Sequence, residues 1–229
     1  MFGDLEFQKA IRLEHPSSIP VCCGVLPAMW IHHGKETEEL VKAFPALFPE
    51  GYGCDYSDPS TNGTYKVGEH IDEWGCVWSN VDEGMEAIVT GHPVKTEEDV
   101  FSLEIPSNRD GRIPHGFMYL RLLDLCGFEN TMCMFADEDE AIQTLIDKVL
   151  QYNKYQFEAI LHRCHGVVPF GDDLGIQNGL LIGAERWRKY LKPCYTELYG
   201  MIKKNDPDAL IYMHTDGCIH EIMPDLVDC

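Results

Sequence analysis

The C-terminal half of the chain alternates helical and strand periodicity, and that alternation limits the available folds more than any other feature. Asp137 and Asp139 open a long helix. Its apolar residues Ile142, Leu145, Ile146, Val149, Leu150, Phe157, Ile160 and Leu161 recur at three- and four-residue steps. His162 and Arg163 place positive charge in its last turn, and Gly166 ends it. The apolar run 167–170 then reads as a buried strand, closed by Gly171, Asp172 and Asp173. A second helix covers about 184–204 with Pro193 as a kink. A second strand at 209–213 runs into His214, Thr215, Asp216 and Gly217, and a third helix starts near Ile219. Helix, strand, helix, strand, helix is the rhythm of βαβ units and a parallel sheet.

The N-terminal third is irregular. Pro16, Pro20, Pro27, Pro45, Pro49 and Pro59, with Gly51, Gly53, Gly63 and Gly68 close by, mark loops and short elements. One helix is expected over 37–44, with Thr37 as its N-cap and Glu38 and Glu39 in the first turn. No internal repeat or low-complexity segment is visible. The 229 residues suit one domain, with 1–80 as its irregular part and 81–229 as the βα units.

Acidic residues outnumber basic ones by 38 to 18, giving a formal charge of −20. Such a chain offers no basic footprint for nucleic acid and disfavours anionic membrane surfaces. It has no membrane-length apolar run and no recognisable signal peptide, so the expected location is cytoplasmic. Ten cysteines are then expected to be reduced. The vicinal pair Cys22–Cys23 is a strained geometry for a disulfide, and Cys126 and Cys133 are expected to pack as small apolar residues.

In parallel α/β folds, sites collect at the carboxyl ends of strands. That rule nominates Asp172, Asp173, His214 and Asp216. The competing reading makes the aspartates turn and helix caps, and His214 a satisfied core residue. His214, Asp216, Cys218 and His220 all lie within seven residues, but i and i+2 positions of a helix diverge, so only His214 and Asp216 are taken as metal ligands. His162, Arg163, Cys164 and His165 are metal-like in type, yet their place at a helix end favours dipole capping. Glu69, His70, Asp72 and Glu73 sit beside Trp74 and Trp78, either as a stacking platform for a substrate ring or as a solvated loop with core tryptophans.

The segment 170–179, Phe-Gly-Asp-Asp-Leu-Gly-Ile-Gln-Asn-Gly, resembles the fifth-strand motif of the uroporphyrinogen decarboxylase superfamily. The likeness continues through 185–195, His214-Thr215-Asp216-Gly217 and 222–227. Upstream it includes Asp72-Glu73-Trp74-Gly75-Cys76-Val77-Trp78 and Gly127-Phe128-Glu129-Asn130. The resemblance implies a (β/α)8 TIM barrel. A typical barrel needs about 250 residues, so this chain is expected to lack the last strands.

The same resemblance frames the chemistry. One branch decarboxylates uroporphyrinogen, whose carboxylates call for arginine. Residues 19–30, where that branch carries an arginine-rich motif, hold none. The other branch transfers methyl groups to or from corrinoid proteins or thiols, many members using zinc held by a His-x-Cys pair and a distant cysteine. The first ligand maps onto His214, while Asp216 stands where the pair has cysteine. A His–Asp pair is a harder donor set, still acceptable to zinc. The resemblance therefore implies a methyltransferase acting on a methoxylated or methylated small molecule, with a corrinoid (cobalamin) carried by a partner protein in anaerobic metabolism. Asp172, Asp173 and Asp72 are its candidate acids, Gln177, Asn178 and Trp74 its substrate contacts, and His214 and Asp216 its zinc ligands. Uroporphyrinogen decarboxylase and a non-catalytic truncated barrel remain as alternatives. A barrel hydrolase has no nucleophile–base pair visible in the sequence.

Overall fold

The computed structural model describes residues 5–21, 23–48, 50–53 and 65–229. The chain forms two compact units, one ending at Gly91 and the other running from His92 to Cys229. The division falls after residue 80 because a small sheet straddles that position. Its strands β1 (Gly68–Ile71), β2 (Val77–Asn80) and β3 (Ile88–Gly91) form an antiparallel meander.

Before the sheet come α1 (Leu5–Ile11) and α2 (Pro27–Ala43). Pro27 opens α2 with a φ already suited to a helix. The helix bends at His33, whose backbone is non-helical (φ −131°, ψ 26°). Thr37, expected as an N-cap, lies inside it. Its hydroxyl donates instead to the Met29 carbonyl at 2.9 Å, across the bend. Trp30, Val41 and Phe48 form the local core, with Val25, Leu47 and Tyr52 packed on it.

The second unit begins with α3 (Glu97–Ser102), opened by a capping box in which Thr96 and Asp99 satisfy each other's backbone N–H. Two short helices follow, α4 (Tyr119–Cys126) and α5 (Phe128–Asp137). They meet at Gly127, whose φ of +78° would strain any other residue. The long helix α6 (Glu140–Ile160) has Asp139 as its N-cap, accepting from the Ala141 amide at 2.9 Å. Ile142, Leu145, Ile146, Val149 and Phe157 are all fully buried along one stripe, as the periodicity requires.

Strand β4 (Val167–Gly171) leads into a hairpin of β5 (Gly175–Ile176) and β6 (Gly179–Leu180). A continuous helical stretch then joins α7 (Ala184–Arg186), a π turn (Trp187–Leu191) and α8 (Lys192–Asn205). Pro193 neither breaks nor ends this stretch. The π turn ahead of it, with the Lys192 amide donating to the Trp187 carbonyl, widens the helix where the ring would otherwise clash. Strand β7 (Leu210–His214) pairs parallel with β4, in register from Val167 opposite Leu210 to Gly171 opposite His214. The last helix, α9 (Met223–Asp228), begins later than Ile219, after a tight turn.

β4, the α7–α8 crossover and β7 make one βαβ unit, so the fold is mixed helix and strand with small sheets. No closed barrel is present among the described residues. Aromatic side chains fill the space between the pair and its helices. Phe157 stacks on Phe170 at 5.1 Å, and Phe117 meets Phe157, Phe170 and Tyr195 within 6.1 Å. No helix among the described residues is long and apolar enough to cross a membrane.

Asp225 fastens α9 to the helix beneath it, accepting from Lys192 Nζ and Arg188 Nε, each at 2.8 Å. These two cations, Lys192 first, hold its carboxyl below the usual range. A depressed folded pKa adds stability above the unfolded value, about 3.9 for aspartate, and that stability fades as pH falls through the lower folded value. Acidification below about pH 4 is therefore expected to release α9 first. Hydrogen exchange at 222–228 should accelerate at pH 3 before exchange in α6 does. Equal acceleration in both would remove this role for Asp225.

Candidate functional site

The carboxyl ends of β4 and β7 stay zipped together beyond the strands. The Asp172 amide donates to the His214 carbonyl at 3.0 Å, and the Gly175 amide to the Asp216 carbonyl at 3.1 Å. The Leu174 amide donates to Thr215 Oγ1 at 3.0 Å, and the Asp216 amide to Asp173 Oδ1 at 2.9 Å. Such close approach needs glycine. At Gly217 (φ +80°) a Cβ would lie 2.2 Å from the Gly175 carbonyl carbon.

A third segment joins the strand ends. The Gly116 amide donates to the Gly171 carbonyl at 2.8 Å, which lays His115 over β4. His115 Nε2 is 3.1 Å from Asp173 Oδ2, and its ring centroid is 5.5 Å from that of His214. His115, Asp173 and His214 each offer a ligand atom within 4.8 Å of the others, and all three remain open to solvent to some degree. A tetrahedral zinc with bonds near 2.1 Å sets neighbouring ligand atoms roughly 3.4 Å apart. At 3.1 Å, His115 Nε2 and Asp173 Oδ2 stand close to that spacing. Two imidazoles and one carboxylate suit zinc or another borderline divalent ion and leave positions open for substrate.

The expected site residues separate into groups. Asp173 and His214 come together as the strand-end rule requires. Asp216 does not join the trio: its Oδ1 stands 3.7 Å from His214 Nε2, on a side chain that is 75% exposed, placing it alongside a ligand. Gln177 and Asn178 form the exposed tip of the β5–β6 hairpin. Cys218 is half-buried and His220 exposed, and neither belongs to the trio.

Asp172 turns the other way and is fully buried. Its Oδ2 accepts from the Met118 amide at 3.2 Å, the Tyr119 amide at 2.6 Å and the Tyr195 hydroxyl at 2.6 Å. Its Oδ1 accepts from the Leu120 amide at 3.0 Å. Burial pushes this carboxyl upward, against the pull of those four donors. It caps the start of α4 and presents no free face to a substrate, which corrects its expected role as an acid. Burial and the Asp172 charge likewise raise the Tyr195 hydroxyl.

Asp72 and Trp74 lie in the N-terminal unit and are structural there. Asp72 closes the β1–β2 turn, accepting from the Trp74 amide at 3.0 Å, the Cys76 amide at 2.9 Å and Trp78 Nε1 at 3.0 Å. Trp74 is 4% exposed, so it belongs to the core and offers no stacking platform. Trp78 is half-buried beneath His70, stacked at an interplanar angle of 10°.

The cluster after α6 also serves the fold. Arg163 donates to the Gly111 carbonyl at 3.2 Å, Cys164 Sγ to the Ile160 carbonyl at 3.3 Å, and His165 pairs with Asp206 at 2.8 Å. Every described cysteine is a free thiol. Burial pushes Cys126 and Cys194 up to about 12, which keeps them protonated and inert. Cys133 is exposed rather than packed.

His115 escaped the sequence reading. It lies in an irregular segment with no periodicity, and its only local signal is the flanking Pro114 and Gly116. Gly171 makes room for it: a Cβ there would lie 2.2 Å from His115 Nδ1. Gly171→Ala is therefore expected to displace the ring and weaken zinc binding about 10- to 100-fold, the usual range when support of a ligand is lost. Competition against a chromophoric chelator measures this. Unchanged affinity would place His115 outside the site.

Comparison with protein-family models, curated proteins and solved structures finds no match to this chain.

Proposed function

We propose that the chain holds a divalent metal, zinc by preference, on His115, Asp173 and His214, and uses it in methyl transfer within the uroporphyrinogen decarboxylase superfamily. The observation that carries the proposal is the convergence of two imidazoles and a carboxylate at the carboxyl ends of a parallel strand pair. The resemblance around 170–179 and 214–217 supplies the reaction class. The substrate is a methoxylated or methylated small molecule, and the acceptor is a corrinoid carried by a partner protein. The fine architecture that goes with this reading is a (β/α)8 barrel of which β4, α8 and β7 are one repeat.

When bound, the metal supplies Lewis acidity toward the oxygen that loses its methyl group. His115, Asp173 and His214 hold the ion at the strand ends. Asp216 adds a negative charge beside His214, its Oδ1 3.7 Å from Nε2, which favours a cation held there. The proton that the departing oxygen takes up comes from solvent, to which the site is open. Gln177 and Asn178, at the hairpin tip, meet the substrate.

The test follows cobalamin absorbance in mixtures of zinc-loaded chain, reduced cobalamin and a panel of methoxylated aromatics. Zinc-dependent formation of methylcobalamin with at least one donor is expected. Zinc binding without transfer to any donor would overturn the reaction class and leave a metal-binding, non-catalytic chain.

A further inference from the structure

We infer that Asp172 is the positioning residue of the metal site, its buried carboxylate fastening the segment that follows His115 while its backbone amide ties β4 to His214. Each proposed ligand lies one short step from it. Asp173 is its neighbour in the chain. His214 accepts the Asp172 amide through its carbonyl at 3.0 Å. His115 precedes the Met118–Leu120 amides that donate to the carboxylate, and Gly116 is tied to Gly171, the residue before Asp172.

The rest of the His115 segment is anchored with equal care, from the opposite side. On α6, Asn153 Nδ2 donates to the Phe117 carbonyl at 2.7 Å. Gln156 accepts from the Gly111 amide at 2.9 Å and donates to the Asn108 carbonyl at 2.8 Å. Both side chains are buried, Asn153 at 1% exposure and Gln156 at 0%. Helix α6 therefore fixes where the segment runs, while Asp172 fixes where its end meets β4 and β7. Tyr195 on α8 completes the set as the one side-chain donor, so the crossover helix contributes to the same joint. A charged carboxylate with four donors is hard to replace: an amide in its place turns one acceptor into a donor facing backbone N–H groups.

The purpose assigned to this joint rests on the metal reading, but its geometry does not. The test therefore carries one readout free of metal. In the full chain labelled at histidine and kept metal-free, a ring-to-ring Overhauser cross-peak between His115 and His214 is expected. Asp172→Asn should abolish that cross-peak and lower cobalt(II) affinity about 10- to 100-fold, with an altered d–d spectrum. Tyr195→Phe keeps the ring and three of the four donors. It should weaken the cross-peak and lower cobalt affinity by less, about 3- to 10-fold. A merely structural Asp172 would lower the unfolding midpoint while leaving the cross-peak and the cobalt spectrum of the folded protein unchanged, and that result overturns the inference. Should Asp172→Asn fail to fold, an unchanged cross-peak in Tyr195→Phe overturns it equally. If the wild type shows the cross-peak but binds no cobalt, the metal reading fails, and the response of the cross-peak still decides the role of Asp172.

Discussion

Phe157→Ala is expected to destabilise the His92–Cys229 unit by about 3–5 kcal/mol. Phe157 is fully buried on α6 and lies almost parallel to Phe170 on β4, at an interplanar angle of 6°. Phe117 tilts against both rings, and Phe170 in turn meets Tyr199. Truncation removes one of three mutually packed rings in that cluster. The loss combines the transfer free energy of the ring with a cavity that helices pinned by Asn153 and Gln156 cannot close. Domains are stable by only about 5–15 kcal/mol, so this is a large fraction of the total. Urea unfolding followed by near-ultraviolet dichroism measures it. A cost below about 1 kcal/mol would mean that the aromatic cluster is not the core of this unit.

His115→Ala should cost little stability, because the side chain is 43% exposed and its ring is not part of the core. It should nevertheless lower zinc affinity by more than about 100-fold, since loss of an outer partner alone costs 10- to 100-fold. The contrast between the two substitutions is informative. Phe157→Ala acts through the fold, while His115→Ala should leave unfolding in the absence of metal nearly unchanged. Isothermal titration with zinc on both proteins separates the effects. A His115→Ala protein that binds zinc like the wild type would remove His115 from the centre.

Much of this was legible in the sequence, and the reasons are local. The α6 stripe, the β4 and β7 runs and the crossover helix all rest on periodicity, which one segment carries by itself. Helices α4 and α5 are different. They are short, α4 starts without a side-chain cap of its own, and three of its first amides are satisfied by Asp172, which is more than fifty residues away. Nothing near residue 118 announces that partner. The same non-local bond divides the two adjacent aspartates. At the end of a strand, neighbouring side chains point to opposite faces, so Asp172 enters the core and Asp173 reaches the site. Composition cannot tell which is which, since the answer depends on where α4 docks. His115 was hidden for a related reason: its place is set by the Gly116–Gly171 hydrogen bond and by the missing side chain at Gly171. At Asp72 and Trp74 the residue types were suited to a site, but the turn between β1 and β2 uses them.

The most direct test of the metal centre is zinc X-ray absorption on the full chain loaded with one equivalent of the ion. The expected spectrum shows nitrogen and oxygen neighbours at about 2.0–2.2 Å, with the multiple-scattering signature of two imidazoles. A sulfur neighbour near 2.3 Å, or a chain that retains no zinc after dialysis, would contradict the assignment of His115, Asp173 and His214.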